Sequence, residues 1–197
     1  MPDNIYPLIL FAFVGSFTPG PNTMMVTASG TAFGLRRSWP HIWGVTLGFS
    51  GMIAAFGLGL GQLFHAYPTA HWYLRIIGSA YLLYLAWRLA LAGDPASSTD
   101  AKKPLTSLEA AAFQWLNPKA YTLAIGVITA FTTTQGNPLY ELTWIAGVFG
   151  IVTWFSLIFW CLFGVGIRRL LSTPRAIRTA NITLAVLLAL SVITLFL

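Results

Sequence analysis

The sequence has 197 residues, of which 56% are hydrophobic and only 8% are charged. A soluble globular domain carries about 25% charged residues, so this composition excludes that class and indicates one integral membrane domain over residues 1–197. The net charge of +6 would suggest nucleic acid in a soluble protein, but the basic residues fall at the ends of apolar segments. Membrane topology explains them there, and no nucleic-acid partner is expected.

Six apolar segments are long enough to cross a bilayer, which takes roughly 20 residues for a helix. The predicted spans cover about residues 5–33, 41–64, 71–92, 108–133, 140–166 and 178–197. A polar stretch at 93–107 separates a first half, about 1–92, from a second half, about 108–197. The predicted fold class is therefore an all-α membrane protein with six transmembrane helices in two halves.

The basic residues orient these spans. Of the 11 Lys and Arg residues, nine lie in the connections after spans one, three and five or in the span ends next to them. The positive-inside rule then puts those connections in the cytoplasm and both termini outside. Three spans per half make the halves enter the membrane from opposite sides. This predicts two inverted three-helix repeats, an arrangement that many secondary transporters share.

Span one contains a helix-breaking sequence, TPGPN, at residues 18–22. Arms of about 20 and 16 Å flank it at 1.5 Å per helical residue, so the break lies near the middle of the bilayer. Proline lacks an N–H and displaces the preceding residue from the helical region. We expect Asn22 or Thr18 to cap the helix that continues through Thr23. The predicted substrate-binding residues here are Thr18, Pro19, Gly20, Pro21, Asn22 and Thr23.

Span four has a corresponding break at Asn117-Pro118-Lys119, roughly 13 Å from its cytoplasmic end. Asn117 is predicted to be the N-cap and Pro118 the first residue of the second half-helix. Non-helical backbone at mid-membrane must face protein or a wet cavity, and helix N-termini attract anions. An ionisable residue at this depth, Lys119, also indicates function. Two N-termini and an ammonium suit a substrate carboxylate. The competing interpretation is that the prolines only kink packed helices and that Lys119 extends toward the cytoplasm.

Four stretches in order give the sequence a family resemblance. They are FTPGPN at 17–22, GLRRSWPHIWGVTLG at 34–48, RIIGSAYLLY at 75–84 and QWLNPKA at 114–120. Together they resemble the LysE/RhtB (lysine exporter) family of bacterial amino-acid exporters. The resemblance implies export from the cytoplasm across the inner membrane, driven by the proton-motive force without ATP or another cofactor. It also implies that the central site includes Pro19, Gly20, Pro21, Asn22, Asn117, Pro118 and Lys119.

The distribution of acidic residues bears on the substrate. There is no Asp or Glu between Asp3 and Asp94. A site for lysine or arginine would need a buried carboxylate, because an unpaired buried ammonium is costly. The sequence therefore favours a neutral amino acid or a hydrophobic derivative. Glu109 is the candidate for proton exchange, and its other interpretation is an acid that the helix dipole stabilises at a helix N-terminus.

Other residues do not form a catalytic or metal site in the sequence. His41, His65 and His71 are expected at span ends, solvated or in the interfacial belt, without the spacing of metal ligands. No paired carboxylates or Ser-His-Asp set share one depth, so an enzyme is not expected. GLGLG at 57–61 is predicted to be a helix-packing run. Export of another solute such as a cation, a non-transport scaffold or intramembrane enzyme, and a homo-oligomer remain open alternatives.

Overall fold

The computed structural model describes residues 5–60, 68–91, 103–133, 137–170 and 173–193. Within these ranges the chain is helical and contains no strand. The helices are α1 (Ile5–Phe17), α2 (Pro21–Ala55), α3 (Pro68–Ala90), α4 (Ser107–Gln114), α5 (Pro118–Phe131), α6 (Pro138–Leu170) and α7 (Pro174–Ile193). His65 and most of the polar stretch 93–107 lie outside the described residues, as does the side chain of His71.

Helix length and hydropathy identify a multi-pass membrane protein. Three helices of the described chain are long and apolar enough to cross a membrane: Pro21–Gly59, Pro138–Leu170 and Arg175–Ile193. Two shorter apolar helices, Ile5–Phe17 and Ile76–Trp87, accompany them. The predicted all-helical membrane class is therefore confirmed.

Helix α2 turns back on itself at Gly34. This residue has φ +75° and ψ 171°, outside the helical region, and glycine adopts such positive φ without a Cβ penalty. The hydroxyl oxygens of Ser29 and Ser38 lie 2.8 Å apart, whereas nine residues of straight helix rise about 13.5 Å. The chain therefore forms a hairpin of a first segment (residues 21–33) and a second segment (residues 35–55). The turn falls in the connection predicted between spans one and two.

The first segment of α2 crosses α6 with the two backbones in contact. A Cβ built on Gly30 would lie 2.1 Å from the Cys161 carbonyl oxygen, and one on Gly164 would lie 2.1 Å from the Thr27 carbonyl oxygen. Small residues allow this close approach between membrane helices. The crossing fixes α6 against the segment that follows the first helix break.

Two clusters of buried apolar side chains flank the helix breaks. One joins α1, the second segment of α2, α5 and α6, and includes Phe49, Met52, Tyr121 and Phe149. The other joins the first segment of α2 to α3, α4 and α7. At the C-terminal end of α2, GLGLG contributes to a π-helical turn over Phe56–Leu60, in which Gly59 has φ +113°. Of the two glycines of this run that the structure describes, Gly57 shows the predicted close packing, since a Cβ there would lie 2.0 Å from Leu142, and Gly59 does not.

Candidate functional site

The first break separates α1 from α2 and has Gly20 as its cap. The Gly20 N–H donates to the Thr23 hydroxyl, which in turn donates to the Gly20 carbonyl, both at 2.8 Å. The prediction that Asn22 or Thr18 caps this helix is therefore wrong. The Thr18 hydroxyl instead donates to a carbonyl of the last turn of α1, and Asn22 lies one residue inside α2 with its amide directed to another helix.

That amide forms a pair with Gln114, the last residue of α4. Asn22 Nδ2 donates to Gln114 Oε1 at 2.8 Å, and Gln114 Nε2 donates to Asn22 Oδ1 at 3.3 Å. Gln114 is fully buried and also donates to the Ala110 carbonyl at 2.8 Å. The pair joins the two breaks directly. Gln114 begins the QWLNPKA stretch, but the sequence analysis gave it no role.

The second break separates α4 from α5, and here the predicted cap is confirmed. Asn117 is the N-cap of α5, Pro118 is its first residue, and the Ala120 N–H donates to the Asn117 carbonyl at 3.0 Å. The Asn117 side chain forms no capping hydrogen bond. It is 2% exposed, and its Oδ1 has no hydrogen-bond partner among the described residues. A buried acceptor without a partner is uncommon in proteins.

Lys119 connects the two breaks electrostatically. Its ammonium donates to the Thr18 carbonyl at 2.5 Å and lies 3.5 Å from the Pro19 carbonyl. These carbonyls follow the C-terminus of α1, where the helix dipole favours a cation. The stem of Lys119 passes so close to Gly20 that a Cβ there would lie 2.9 Å from Lys119 Cδ.

A cavity of about 40 Å³ lies between the breaks. On the same measure one water needs roughly 10–15 Å³, so the space holds a few water molecules. Its lining residues come from α1, α2, α5 and α6 and the two breaks: Gly15, Ser16, Gly20, Asn22, Thr23, Phe49, Asn117, Lys119, Ala120, Leu123, Thr153 and Leu157. Five of the predicted site residues are therefore in the lining. Thr18, Pro19, Pro21 and Pro118 are not, and they form the backbone of the breaks.

Seven of the twelve lining residues were not predicted from the sequence, and two of them, Ser16 and Thr153, carry hydroxyl groups. Their hydroxyl oxygens lie 3.0 Å apart, and Ser156 donates to the Ser16 carbonyl at 2.8 Å. These contacts hold α1 against α6 beside the cavity. The available signal was the presence of small hydroxyl residues within apolar spans, one of them directly before FTPGPN.

Glu109 lies in the first turn of α4 and outside the cavity lining. Its carboxylate accepts from the Thr106 N–H and hydroxyl, both at 2.8 Å, and the Glu109 N–H donates back to the Thr106 hydroxyl at 3.2 Å. This is the reciprocal capping box of a helix N-terminus. The geometry corresponds to the second interpretation of Glu109, an acid at a helix N-terminus.

His41 is buried, with 2% of its surface exposed, so the prediction of a solvated position is wrong, whereas its position at the depth of the membrane interface stays a prediction. The hairpin at Gly34 packs the face of the second segment that carries His41 against the first segment of α2. The predicted span boundaries alone do not show this contact. No group of three or more His, Cys, Asp or Glu residues forms a metal site within the ranges that the structure describes.

Apolar helices with a cavity of mixed polar and apolar lining between two interrupted helices are typical of a membrane transporter. Residues 13–197 match the family described as LysE type translocator, and the chain belongs to that family. Its relatives include the cysteine/O-acetylserine efflux proteins of Shigella flexneri and of Escherichia coli (strain K12). Each is 29% identical over 199 aligned residues, which cover 96% of this chain and 98% of the relative. No solved structure matches the chain.

Proposed function

We propose that this protein is a secondary exporter of small neutral amino acids, or of their close derivatives, from the cytoplasm. The observation that carries the proposal is the central cavity, on which the N-termini of α2 and α5 and the Lys119 side chain converge. The Asn117 side chain also lines it, and its Oδ1 has no hydrogen-bond partner within the described chain. Relatives named for the efflux of cysteine and O-acetylserine, both neutral amino acids, support the same substrate class.

The cavity offers a complementary group for each end of a zwitterion. The N-termini of α2 and α5 are positive ends of helix dipoles, which suit a carboxylate. The Asn117 Oδ1 acceptor suits the substrate ammonium, because a donor there would satisfy a buried polar atom. We therefore assign Asn117, Asn22, Thr23 and Gly20 to the substrate contacts, and Lys119 to the positive potential of the site.

A neutral side chain fits the charges of this cavity better than a cationic one. In the described part of the chain, the lining contains no carboxylate. A second ammonium on the substrate would lie near Lys119 without an acid to pair with, and burying an unpaired charge is costly. Lysine and arginine are therefore expected to be poor substrates.

The proposed membrane arrangement follows the halves of the chain. Six helices cross the bacterial inner membrane as two inverted repeats, each with its first helix broken at mid-membrane, and both termini lie outside. The breaks at 18–20 and 115–117 support this, since each falls in the first helix of its half. Export is coupled to the proton gradient and uses no ATP.

Transport requires the cavity to widen. A space for a few water molecules does not admit an amino acid, so the structure corresponds to a closed state of the site. The Asn22–Gln114 pair and the Lys119 contacts with Thr18 and Pro19 join the parts that must separate. We expect these hydrogen bonds to break when the site opens.

The direct test is efflux from dipeptide-loaded cells, with every protein amino acid and O-acetylserine measured in the medium. Cells that contain the protein should release at least one neutral amino acid faster than cells without it. The difference should disappear when the proton gradient is collapsed. No difference for any compound, with the protein shown to be in the membrane, would contradict the proposal.

A further inference from the structure

A second cavity, of about 200 Å³, lies between the first segment of α2 and the pair formed by α3 and α7. It shares no lining residue with the central cavity. Most of its wall is apolar and includes Met25, Ala28, Phe33, Leu85, Leu89 and Leu188. A zwitterion would lose its hydration against such a wall without compensation, so this cavity suits a hydrocarbon chain.

Two buried polar side chains, Ser29 and His41, line the cavity, and His41 is the one without a hydrogen-bond partner in the described chain. Its two ring nitrogens have no hydrogen-bond partner among the described residues, and only 2% of its surface is exposed. The neighbouring hydroxyls of Ser29 and Ser38 bond to each other at 2.8 Å. Leaving a buried donor without a partner costs stability, so the cavity suits a ligand that also carries a hydrogen-bond acceptor.

The cavity continues into a basic mouth. An adjoining cavity of about 720 Å³ shares Phe33, Lys103, Pro104 and Leu105 with it and is also lined by Arg36 and Arg37. The side chains of Arg36, Arg37 and Lys103 are exposed, and no acidic residue of the described chain lines the mouth. An apolar interior with a cationic mouth fits a ligand that has an acyl chain and an anionic head.

We propose that this pocket binds an anionic phospholipid of the cytoplasmic leaflet. One acyl chain occupies the apolar cavity, the phosphate contacts Arg36, Arg37 and Lys103, and His41 donates a hydrogen bond to an ester carbonyl. Basic pockets between membrane helices on the cytoplasmic side bind anionic headgroups in this way. The assignment of the leaflet rests on the proposed orientation, but the pocket itself is independent of the transport activity.

The test is native mass spectrometry of the full-length protein, titrated with phosphatidylglycerol or with phosphatidylcholine of the same acyl chains. The wild-type protein should retain one phosphatidylglycerol in preference to phosphatidylcholine. The double variant Arg36→Gln/Arg37→Gln should lose about 30-fold in affinity, since each basic residue near the surface contributes about fivefold. The matched control Arg175→Gln/Arg178→Gln changes the charge equally, at exposed positions of α7 outside both cavities, and should bind like the wild type.

Further variants separate binding of the acyl chain in the apolar cavity from attraction by surface charge. Ala28→Leu fills the apolar cavity and leaves every charge in place, so it should also abolish retention of the lipid. If Ala28→Leu fails to fold, Ala32→Leu fills the same cavity. His41→Phe keeps a ring of similar shape and should lower affinity severalfold.

Three outcomes would each overturn the proposal: equal retention of the two lipids, equal loss of affinity in the two arginine double variants, or unchanged binding in the cavity-filled variants. So would competition by glycerol phosphate as effective as that of intact lipid, which would indicate a headgroup site only. Because the experiment measures lipid binding, its result does not depend on whether the protein exports amino acids.

Discussion

Lys119 is the residue that gives the central site its charge. A cation among apolar membrane helices is costly unless it finds partners, and the Lys119 ammonium finds them in the carbonyls of Thr18 and Pro19. Its position beside the cavity therefore depends on the opposite break, 100 residues away in the chain. The side chain both supplies positive potential and holds the first break closed.

Replacing Lys119 should stop transport and leave the fold intact. Lys119→Ala removes the ammonium from the cavity lining and frees the two carbonyls, so we expect efflux to fall by at least tenfold. The measurement is efflux normalised to folded protein in the membrane. Arg175→Ala is the control, since Arg175 is exposed and lies outside both the central cavity and the proposed phospholipid pocket. A wild-type rate for Lys119→Ala would rule out the assigned role.

A smaller change, Gly20→Ala, should displace the Lys119 side chain. The new methyl would lie 2.9 Å from Lys119 Cδ and 3.2 Å from its Nζ, so the ammonium must move. Misplacement of a functional group by about 1 Å can cost on the order of 100-fold, and we expect a loss of roughly tenfold or more in efflux. Gly51→Ala, where nothing lies within 4 Å of the added atom, should transport normally. Equal rates for the two variants would contradict this account of Gly20.

Glu109→Gln should leave export and its dependence on the proton gradient unchanged. Glutamine can fulfil the same capping-box role as glutamate, while the titratable group is removed. The carboxylate bonds Thr106 outside the cavity, which places it in the helix cap. Efflux measured at several external pH values tests this. Export that persists but no longer responds to pH would instead identify Glu109 as the proton-exchanging acid.

At the scale of elements, the crossing of α2 and α6 holds the first break in place. Gly164→Ala should destabilise the protein, because the added methyl meets the Thr27 carbonyl oxygen at 2.1 Å. Overpacking typically costs about 1–3 kcal/mol, which should lower the apparent melting temperature by on the order of 5 °C.

Gly166→Ala, two residues further along the same helix, is the matched control. Nothing lies within 4 Å of its added methyl, and alanine is the better helix former by about 1 kcal/mol. It should therefore melt at or above the wild-type temperature. Fluorescence-detected thermal unfolding in detergent compares the two. A Gly164→Ala protein as stable as Gly166→Ala would show that the crossing can relax.

The helix breaks could be predicted from sequence because their causes are local. Proline geometry ends α1 before Pro19 and starts α5 at Pro118, and Asn117 has the side chain typical of a cap. The partners of the break residues could not be predicted in this way. Asn22 is a good cap by type, but it pairs with Gln114, which is distant in the chain. That choice depends on how α4 packs against α2.

The burial of His41 and the lining of the central cavity also depend on contacts between distant residues, not on local sequence. Apolar spans identify the membrane class, yet they do not show which polar residues face one another. The hairpin at Gly34 buries His41, and the approach of α6 to α1 brings Thr153 to Ser16. Both results depend on contacts between helices that are far apart in sequence.

At the scale of the whole molecule, the two halves meet in the central cavity. Lys119 and the Asn22–Gln114 pair connect the breaks across it, so movement at one break changes the hydrogen bonds at the other. The proposed alternating access between two inverted repeats requires coupling of this kind. The proposed transport cycle therefore depends on reversible separation of the two breaks.

The most direct test of this account is transport in proteoliposomes that contain the purified protein. Labelled neutral amino acids and lysine would be followed with and without an imposed proton gradient, for the wild type and for Lys119→Ala. We predict gradient-dependent movement of at least one neutral amino acid by the wild type, little movement of lysine, and none above empty liposomes for Lys119→Ala. Failure of the folded wild-type protein to move any neutral amino acid, or equal rates for the two proteins, would contradict the central claim.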